Sequence, residues 1–289
     1  MTTTRHERTL YDSVAEQTAS VVIRRYSTSF GLASRLLGPG VRQHVENIYA
    51  LVRVADEIVD GSGADAGLSV LETGQALNAL ESETELAMEI GFSANLVVHA
   101  FALTARETGF GSELTRPFFD SMRADLTETV HDQDSFDRYV YGSAEVVGLM
   151  CLQAFIQGER VDDAAQLERG ARALGAAFQK VNFLRDLAAD FETLGRSYFP
   201  GVNVESFDEP TKTRLLDDID ADLRVSAAVL PMLPTSSRRA VALAQSLFAE
   251  LSRRLRATPA EQLRTTRVRV PNPVKARLAL GAASGRLPQ

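Results

Sequence analysis

Asp56 and Asp60 stand four residues apart in the segment Tyr49-Ala-Leu-Val-Arg53-Val-Ala-Asp56-Glu-Ile-Val-Asp60. On a helix this spacing places the two carboxylates about 40° apart around the axis, one turn up. Tyr49 and Arg53 continue the same stripe, while Ile48, Leu51, Val52, Ala55, Ile58 and Val59 form an apolar one. A second pair, Asp186 and Asp190, follows in Gln179-Lys-Val-Asn182-Phe-Leu-Arg185-Asp186-Leu-Ala-Ala-Asp190. Gln179, Asn182, Asp186 and Asp190 again share one stripe, flanked by Arg185 as Arg53 flanks the first pair.

Like charges at i,i+4 cost a helix roughly 0.2–0.5 kcal/mol. Two such pairs converging in a cleft cost more unless cations lie between them. Magnesium suits oxygen ligands of this kind: it keeps several waters and is usually held by one or two carboxylates plus substrate phosphates. Such metals stabilise a departing pyrophosphate as a Lewis acid, and arginines add bidentate contacts to the same oxygens. One acidic i,i+4 pair alone is ordinary surface patterning. Two pairs, each with an arginine and each on a helix with an apolar face, point to a magnesium–diphosphate site.

The elements that must position these stripes read as helices. Apolar residues recur at spacings of three and four along almost the whole chain, and period-two alternation is nearly absent. Only Val268 and Val270 resemble a strand. Gly38-Pro39-Gly40 breaks the chain before a helix at 41–60, and residues 61–68 read as a loop. Residues 1–10 are expected to lack order. The pattern gives one all-α domain of roughly ten helices over residues 1–289. Gly61-Ser62-Gly63-Ala64-Asp65-Ala66 matches the dinucleotide pattern GxGxxG/A, but a helix precedes it where that motif needs a strand.

Composition narrows the chemistry further. Of 289 residues, 45% are hydrophobic and 24% charged, as in ordinary globular domains. The net charge of −7 argues against a nucleic-acid coat. It is unevenly spread: residues 251–289 carry nine Lys/Arg against Glu261, a net +8, leaving −15 on the rest. That basic segment is a candidate for peripheral contact with anionic headgroups, at about 1 kcal/mol per basic residue near the surface. The single cysteine, Cys151, excludes an internal disulfide. His6, His44, His99 and His131 show no metal-ligand spacing. No secretory signal and no run of ~18 uninterrupted apolar residues is present, so a cytoplasmic protein is expected.

Five segments, in order, resemble the squalene/phytoene synthase family, bacterial phytoene synthases above all. Tyr26-Ser-Thr-Ser-Phe30 is similar to its N-terminal Ser/Phe motif, and Tyr49 to Asp60 to its first aspartate-rich motif. Tyr139-Val-Tyr-Gly-Ser-Ala-Glu-Val-Val-Gly148 resembles the central motif. Gln179 to Asp190, followed by Gly195-Arg-Ser-Tyr-Phe-Pro200, resembles the second aspartate-rich motif, and Arg267-Val-Arg-Val the basic C-terminal one. The resemblance covers residues from about 20 to about 280. It implies an isoprenoid-synthase helical bundle with a central cavity.

The implied reaction is the head-to-head condensation of two geranylgeranyl diphosphates, through a cyclopropyl diphosphate, to phytoene, a carotenoid precursor. The implied metal ligands are Asp56, Asp60, Asn182, Asp186 and Asp190, for magnesium or alternatively manganese; no NADPH is expected. Ser27, Tyr49, Arg53, Gln179, Arg185, Tyr198 and Arg267 would line the diphosphates and reacting carbons. Phe30, Tyr139, Ala144, Val147 and Gly148 would shape the prenyl tunnel. Gly142, Ser143, Ala144 and Gly148 either leave room for a hydrocarbon or serve close helix packing. Two departures are Ala189, where many relatives have Glu, and Asp56-Glu57, where others have Asp-Asp. The rival readings are a squalene or dehydrosqualene synthase using farnesyl diphosphate, and a non-catalytic helical scaffold.

Overall fold

The computed structural model describes residues 8–27, 29–194 and 198–285, without the side chains of residues 29, 64 and 188–194. The helices are α1 (Leu10–Tyr26), α2 (Ser29–Ser34), α3 (Pro39–Val59), α4 (Ser62–Asp65), α5 (Val70–Ile90), α6 (Leu96–Thr108) and α7 (Ser112–Ala124). Then come α8 (Gln133–Val140), a π-helical turn (Tyr141–Glu145), α9 (Val146–Ile156), α10 (Ala164–Leu194) and α11 (Glu209–Val229). The last are α12 (Thr235–Ala257), α13 (Ala260–Leu263) and α14 (Asn272–Ala283). There is no strand among the described residues, and Val268 and Val270 pack as side chains against the core instead.

Local chemistry sets the helix ends. Thr9 and Asp12 form a reciprocal capping box that starts α1, so residues 8–10, expected to lack order, belong to the described fold, and residues 1–7 of that stretch lie outside the described residues. Ser69 and Glu72 do the same for α5, which ends on Gly91 in the left-handed region at φ 84°. Pro39 opens α3 at its first turn, where a missing N–H is harmless. The 61–68 segment, expected as a loop, holds the one-turn helix α4. Its glycines are required because the chain doubles back onto the end of α3: a Cβ on Gly63 would collide with the Ile58 carbonyl oxygen. Helix α3 precedes the GxGxxG-like string, where the dinucleotide motif needs a strand.

Among the described residues two large apolar cores result, with two smaller clusters around Leu152 and Leu167 and around Ala33 and Leu243. One large core gathers α1, α3, α5, α6, α7 and α9 around Ile48, Leu51, Phe101, Phe118 and Phe119. The other gathers α8, α10, α11, α12 and residues 198–207 around Val181, Leu184, Leu216 and Ile219. Helix α3 belongs to the first and α10 to the second, so each aspartate stripe is anchored by the apolar face of its own helix.

The run Gln133–Ile156 is a 24-residue helical rod, apolar enough by length and composition to cross a membrane. Polar residues interrupt it, so a search for unbroken apolar runs does not find it. Its apolarity has an internal cause: Val140, Val146, Met150 and Leu152 enter the cores, and Ala144, Val147 and Phe155 line a cavity. The π-turn at its middle sits where α7 presses closest. A Cβ on Gly142 would collide with the Pro117 carbonyl oxygen and with Ser121 Oγ. Ser121 Oγ donates to the Tyr139 carbonyl at 3.1 Å, beside the break. A Cβ on Gly148 would stand 2.5 Å from the Ala171 carbonyl oxygen of α10. These two glycines therefore serve close packing, although Gly148 also borders the cavity.

Candidate active site

A cavity of about 580 Å³ lies among α2, α3, the π-turn, α9, α10 and α12. Tyr49, Arg53, Asp56 and Asp60 reach it from α3 and its C-cap, and Gln179, Asn182 and Asp186 from α10. Both stripes thus open onto one space. Phe30, Tyr139, Ala144, Val147, Gly148 and Tyr198 line it too, as expected. The far end is apolar, lined by Phe155, Leu167, Val229, Leu233 and Val241, which belong to one cluster.

Electrostatics differ between the two stripes. Asp60 ends α3, its N–H bonded to the Asp56 carbonyl at 2.8 Å. Burial pushes the Asp56 carboxyl up to about 7; the Arg53 guanidinium opposes the rise, and the Asp60 and Glu57 charges add to it. Its side chain keeps 39% of its surface accessible, but that surface faces the recessed cavity, so water solvates it poorly. Arg53 Nη1 stands 3.7 Å from Asp56 Oδ2, and its other amino group bonds Glu57. Its guanidinium also lies 4.6 Å over the Tyr26 ring. On α10, Asp186 is gripped by two guanidinium groups. Arg185 bonds it at 3.0 Å through Nε, and Arg267, from the segment after α13, at 2.7 and 3.2 Å.

Fit to a divalent cation can be judged from these atoms. Asp56 is a poorly neutralised carboxyl facing a cavity, where a cation would lower the cost of its charge. Arg53 Nε is buried without a hydrogen-bond partner, a donor left over for an anion. Among the described residues, no three Asp, Glu, His or Cys side chains form a metal-holding cluster. The donor set therefore suits a cation completed by phosphate oxygens and water, as magnesium usually is. The Asp190 side chain lies outside the described residues, as do Gly195, Arg196 and Ser197 of the following motif.

Some expected residues meet the cavity through a neighbour, as the Ser27 side chain does by hydrogen-bonding the lining residue Tyr49. Ser27 is the C-cap of α1, and its Oγ accepts the Phe30 N–H at 3.0 Å. Arg185 and Arg267 do not line the cavity and act on its edge through Asp186. Phe30 stacks among Tyr49, Phe178 and Phe248 at centroid distances of 5.6–6.3 Å, forming an aromatic side wall.

Among the described residues, one charged lining residue has no counterpart in the expected set. Asp125, just past α7, is 6% exposed and lines the cavity. A trace of it is legible in the sequence: Phe118, Met122 and Asp125 follow helical spacing, so an acid continues an apolar stripe. Ser143 Oγ, also in the lining, is buried without a hydrogen-bond partner.

Comparison with known proteins places this geometry. The family description squalene/phytoene synthase matches residues 23–273. A 15-cis-phytoene synthase of Enterobacter agglomerans is 32% identical over 250 residues, covering 78% of this chain and 80% of that protein. A 4,4'-diapophytoene synthase of Staphylococcus haemolyticus is 26% identical over 202 residues, covering 70% and 66%. The crystal structure of a dehydrosqualene synthase superposes with a TM-score of 0.77 at 21% identity, covering 95% and 97%. The matched span takes in both aspartate stripes, the central motif and Arg267, so the chain is a prenyltransferase and belongs to the squalene/phytoene synthase family.

Proposed function

We propose that this enzyme is a magnesium-dependent phytoene synthase that joins two geranylgeranyl diphosphates head to head through a cyclopropyl diphosphate. One observation carries the reading: two aspartate stripes, from helices in separate cores, open onto a single apolar cavity. The likeness to a 15-cis-phytoene synthase over most of both chains supports the C20 substrate.

Asp56, Asp60, Asn182 and Asp186 would hold the magnesium, or manganese, with Asp190 completing the stripe by sequence. When bound, the metal supplies Lewis-acid stabilisation of the leaving diphosphate. The chain's own residues do the rest. Arg53 offers its unused Nε to a diphosphate oxygen. Arg185 and Arg267, now forked onto Asp186, are placed to share contacts with the same anion. The apolar far end keeps water from allylic cations. The Tyr49 ring and the Phe30 wall present π-faces to positive charge, each worth roughly 0.5–2 kcal/mol.

The diapophytoene synthase likeness keeps farnesyl diphosphate as the second reading. Purified enzyme with magnesium and both prenyl diphosphates in competition should convert the geranylgeranyl substrate at least tenfold more efficiently, with a C40 hydrocarbon by mass. A C30 product would favour the second reading. No hydrocarbon from either would overturn both.

We also propose peripheral membrane contact by a cytoplasmic enzyme, with a narrower basis than the tail's +8 charge. Arg253 and Arg254 pair with Glu250, and Arg256 with Asp217 and Asp220. Those three therefore serve the fold. Arg269, Arg277 and Leu280 are exposed on and beside α14. Flotation with anionic vesicles should weaken several-fold in Arg269→Glu/Arg277→Glu; unchanged flotation would refute the contact.

A further inference from the structure

Arg53 has two acids within reach on its own helix. Asp56 stands three residues on and Glu57 four, the two spacings at which helical side chains meet. The guanidinium has closed on only one of them. Its Nη2 bonds Glu57 Oε1, while its Nη1 stays 3.7 Å from Asp56 Oδ2. What fixes this choice lies beyond α3. Glu57 Oε2 accepts the Ser62 N–H at 3.2 Å and the Ser62 hydroxyl at 2.9 Å. Gly61 leaves room for that contact, since a Cβ there would stand 2.5 Å from Glu57 Oε2. One carboxylate thus bridges Arg53 to the start of α4, with one oxygen for each partner. Tyr26 seats the guanidinium from another side, its ring centroid 4.6 Å away.

The second stripe lacks such a bridge. Four residues on from Arg185 the sequence has Ala189, which offers no carboxylate. Arg185 closes on Asp186 instead, at 3.0 Å through Nε. An arginine fork on a carboxylate is a strong, charge-assisted contact, and a cation that needs the same oxygens must displace it. On α3 that competition is settled in advance: Glu57 takes the arginine, and Asp56 turns its oxygens to the cavity without a bond from it. Position 57 is also where this sequence departs from the Asp-Asp of the first motif, so the longer side chain has a use.

We propose that Glu57 is a positioning residue that holds Arg53 off Asp56, leaving the carboxyl for a divalent cation and Arg53 Nε for a diphosphate oxygen. Arg53 Nε is buried with no hydrogen-bond partner, as a donor kept for a ligand should be. This rests on the magnesium–diphosphate reading above. Without the Glu57 charge, the guanidinium closes on Asp56 as Arg185 does on Asp186, and metal binding must first break that pair.

The test titrates the full-length protein with Mn2+ in the presence of inorganic pyrophosphate and reads bound metal by electron paramagnetic resonance, so it needs no turnover. Glu57→Gln keeps the length of the side chain and an acceptor for Ser62 but gives up the charge that holds Arg53. Its Mn2+ affinity should fall about tenfold or more, the scale of a lost outer-shell partner. An Arg53→Met background separates the causes. There Glu57→Gln should change the affinity by no more than about threefold, because no arginine remains to be held. An equally large loss in that background would mean that Glu57 acts on the cation or on the fold by itself, and would overturn the proposal. Unchanged affinity in Glu57→Gln alone would overturn it as well. Wild-type protein that binds no Mn2+ with pyrophosphate would instead sink the magnesium–diphosphate reading.

Discussion

Asp56→Asn is expected to abolish turnover and, in the metal-free enzyme, to raise the melting temperature. The loss of turnover follows from the proposed site: several kcal/mol of leaving-group stabilisation corresponds to roughly a thousandfold or more in rate. The gain in stability follows from the carboxyl itself. Burial lifts Asp56 from an ordinary 3.8 to about 7 in the folded chain. The folded state thus holds this proton at pH values where the unfolded chain has released it. Stability contributed by the site falls as pH rises from about 4 to 7 and stays low above that. Asparagine has the same shape and no charge to desolvate. The stabilising difference should be largest near pH 8 and shrink toward pH 4. Melting curves of both proteins in chelator across that range check it. Equal melting temperatures at pH 8 would show that Asp56 is not held at a cost.

Asp186→Asn makes the useful contrast. Turnover is expected to be lost here as well, but no stability should be gained. Asp186 is the acceptor for both Arg185 and Arg267. Removing its charge leaves two guanidiniums without their partner and unties the segment after α13 from α10. The two aspartates, alike in sequence, are held in opposite ways: one is strained by its surroundings and the other is a tie point.

That difference marks where sequence reading stops. The stripes themselves were legible because helical period alone puts Asp56 above Tyr49 and Arg53, and Asp186 above Asn182. The apolar faces of α3 and α10 were legible for the same reason, and so was the all-α class. What depends on partners far along the chain was hidden. The basic segment reads as a tail of free charge, yet Arg256 is bound to acids of α11 and Arg267 to Asp186. Asp125 shows only as an acid ending an apolar stripe. Its partners, the hydroxyls of Tyr139 and Tyr198, are brought to it by different segments. Gly142 and Gly148 carry no periodic signal that separates room for a ligand from contact between helices, and only their neighbours decide it.

Those neighbours support the last prediction. Gly142→Ala should destabilise the protein, while Gly40→Ala, the same chemical change, should stabilise it slightly. Gly40 lies in the first turn of α3, and nothing stands within 4 Å of where an added methyl would sit. Alanine there costs no contact and gains roughly 0.5–1 kcal/mol from backbone entropy. At Gly142 the added methyl meets the Pro117 carbonyl oxygen and Ser121 Oγ of α7. A serine rotamer can move aside, but a helix carbonyl moves only with its helix. Overpacking of this kind costs about 1–3 kcal/mol, and the backbone obstacle puts Gly142 at the upper end. The melting temperature should drop by roughly 6–12 °C, at the few degrees per kcal/mol of a chain this size. The strain must be released by shifting the π-turn away from α7. Tyr139 lies just before that turn and Ser143 and Ala144 within it, all of them in the cavity lining. Activity in Gly142→Ala should therefore fall well below the folded fraction measured at the same temperature. If activity instead tracks the folded fraction, the turn is a packing feature with no hold on the site.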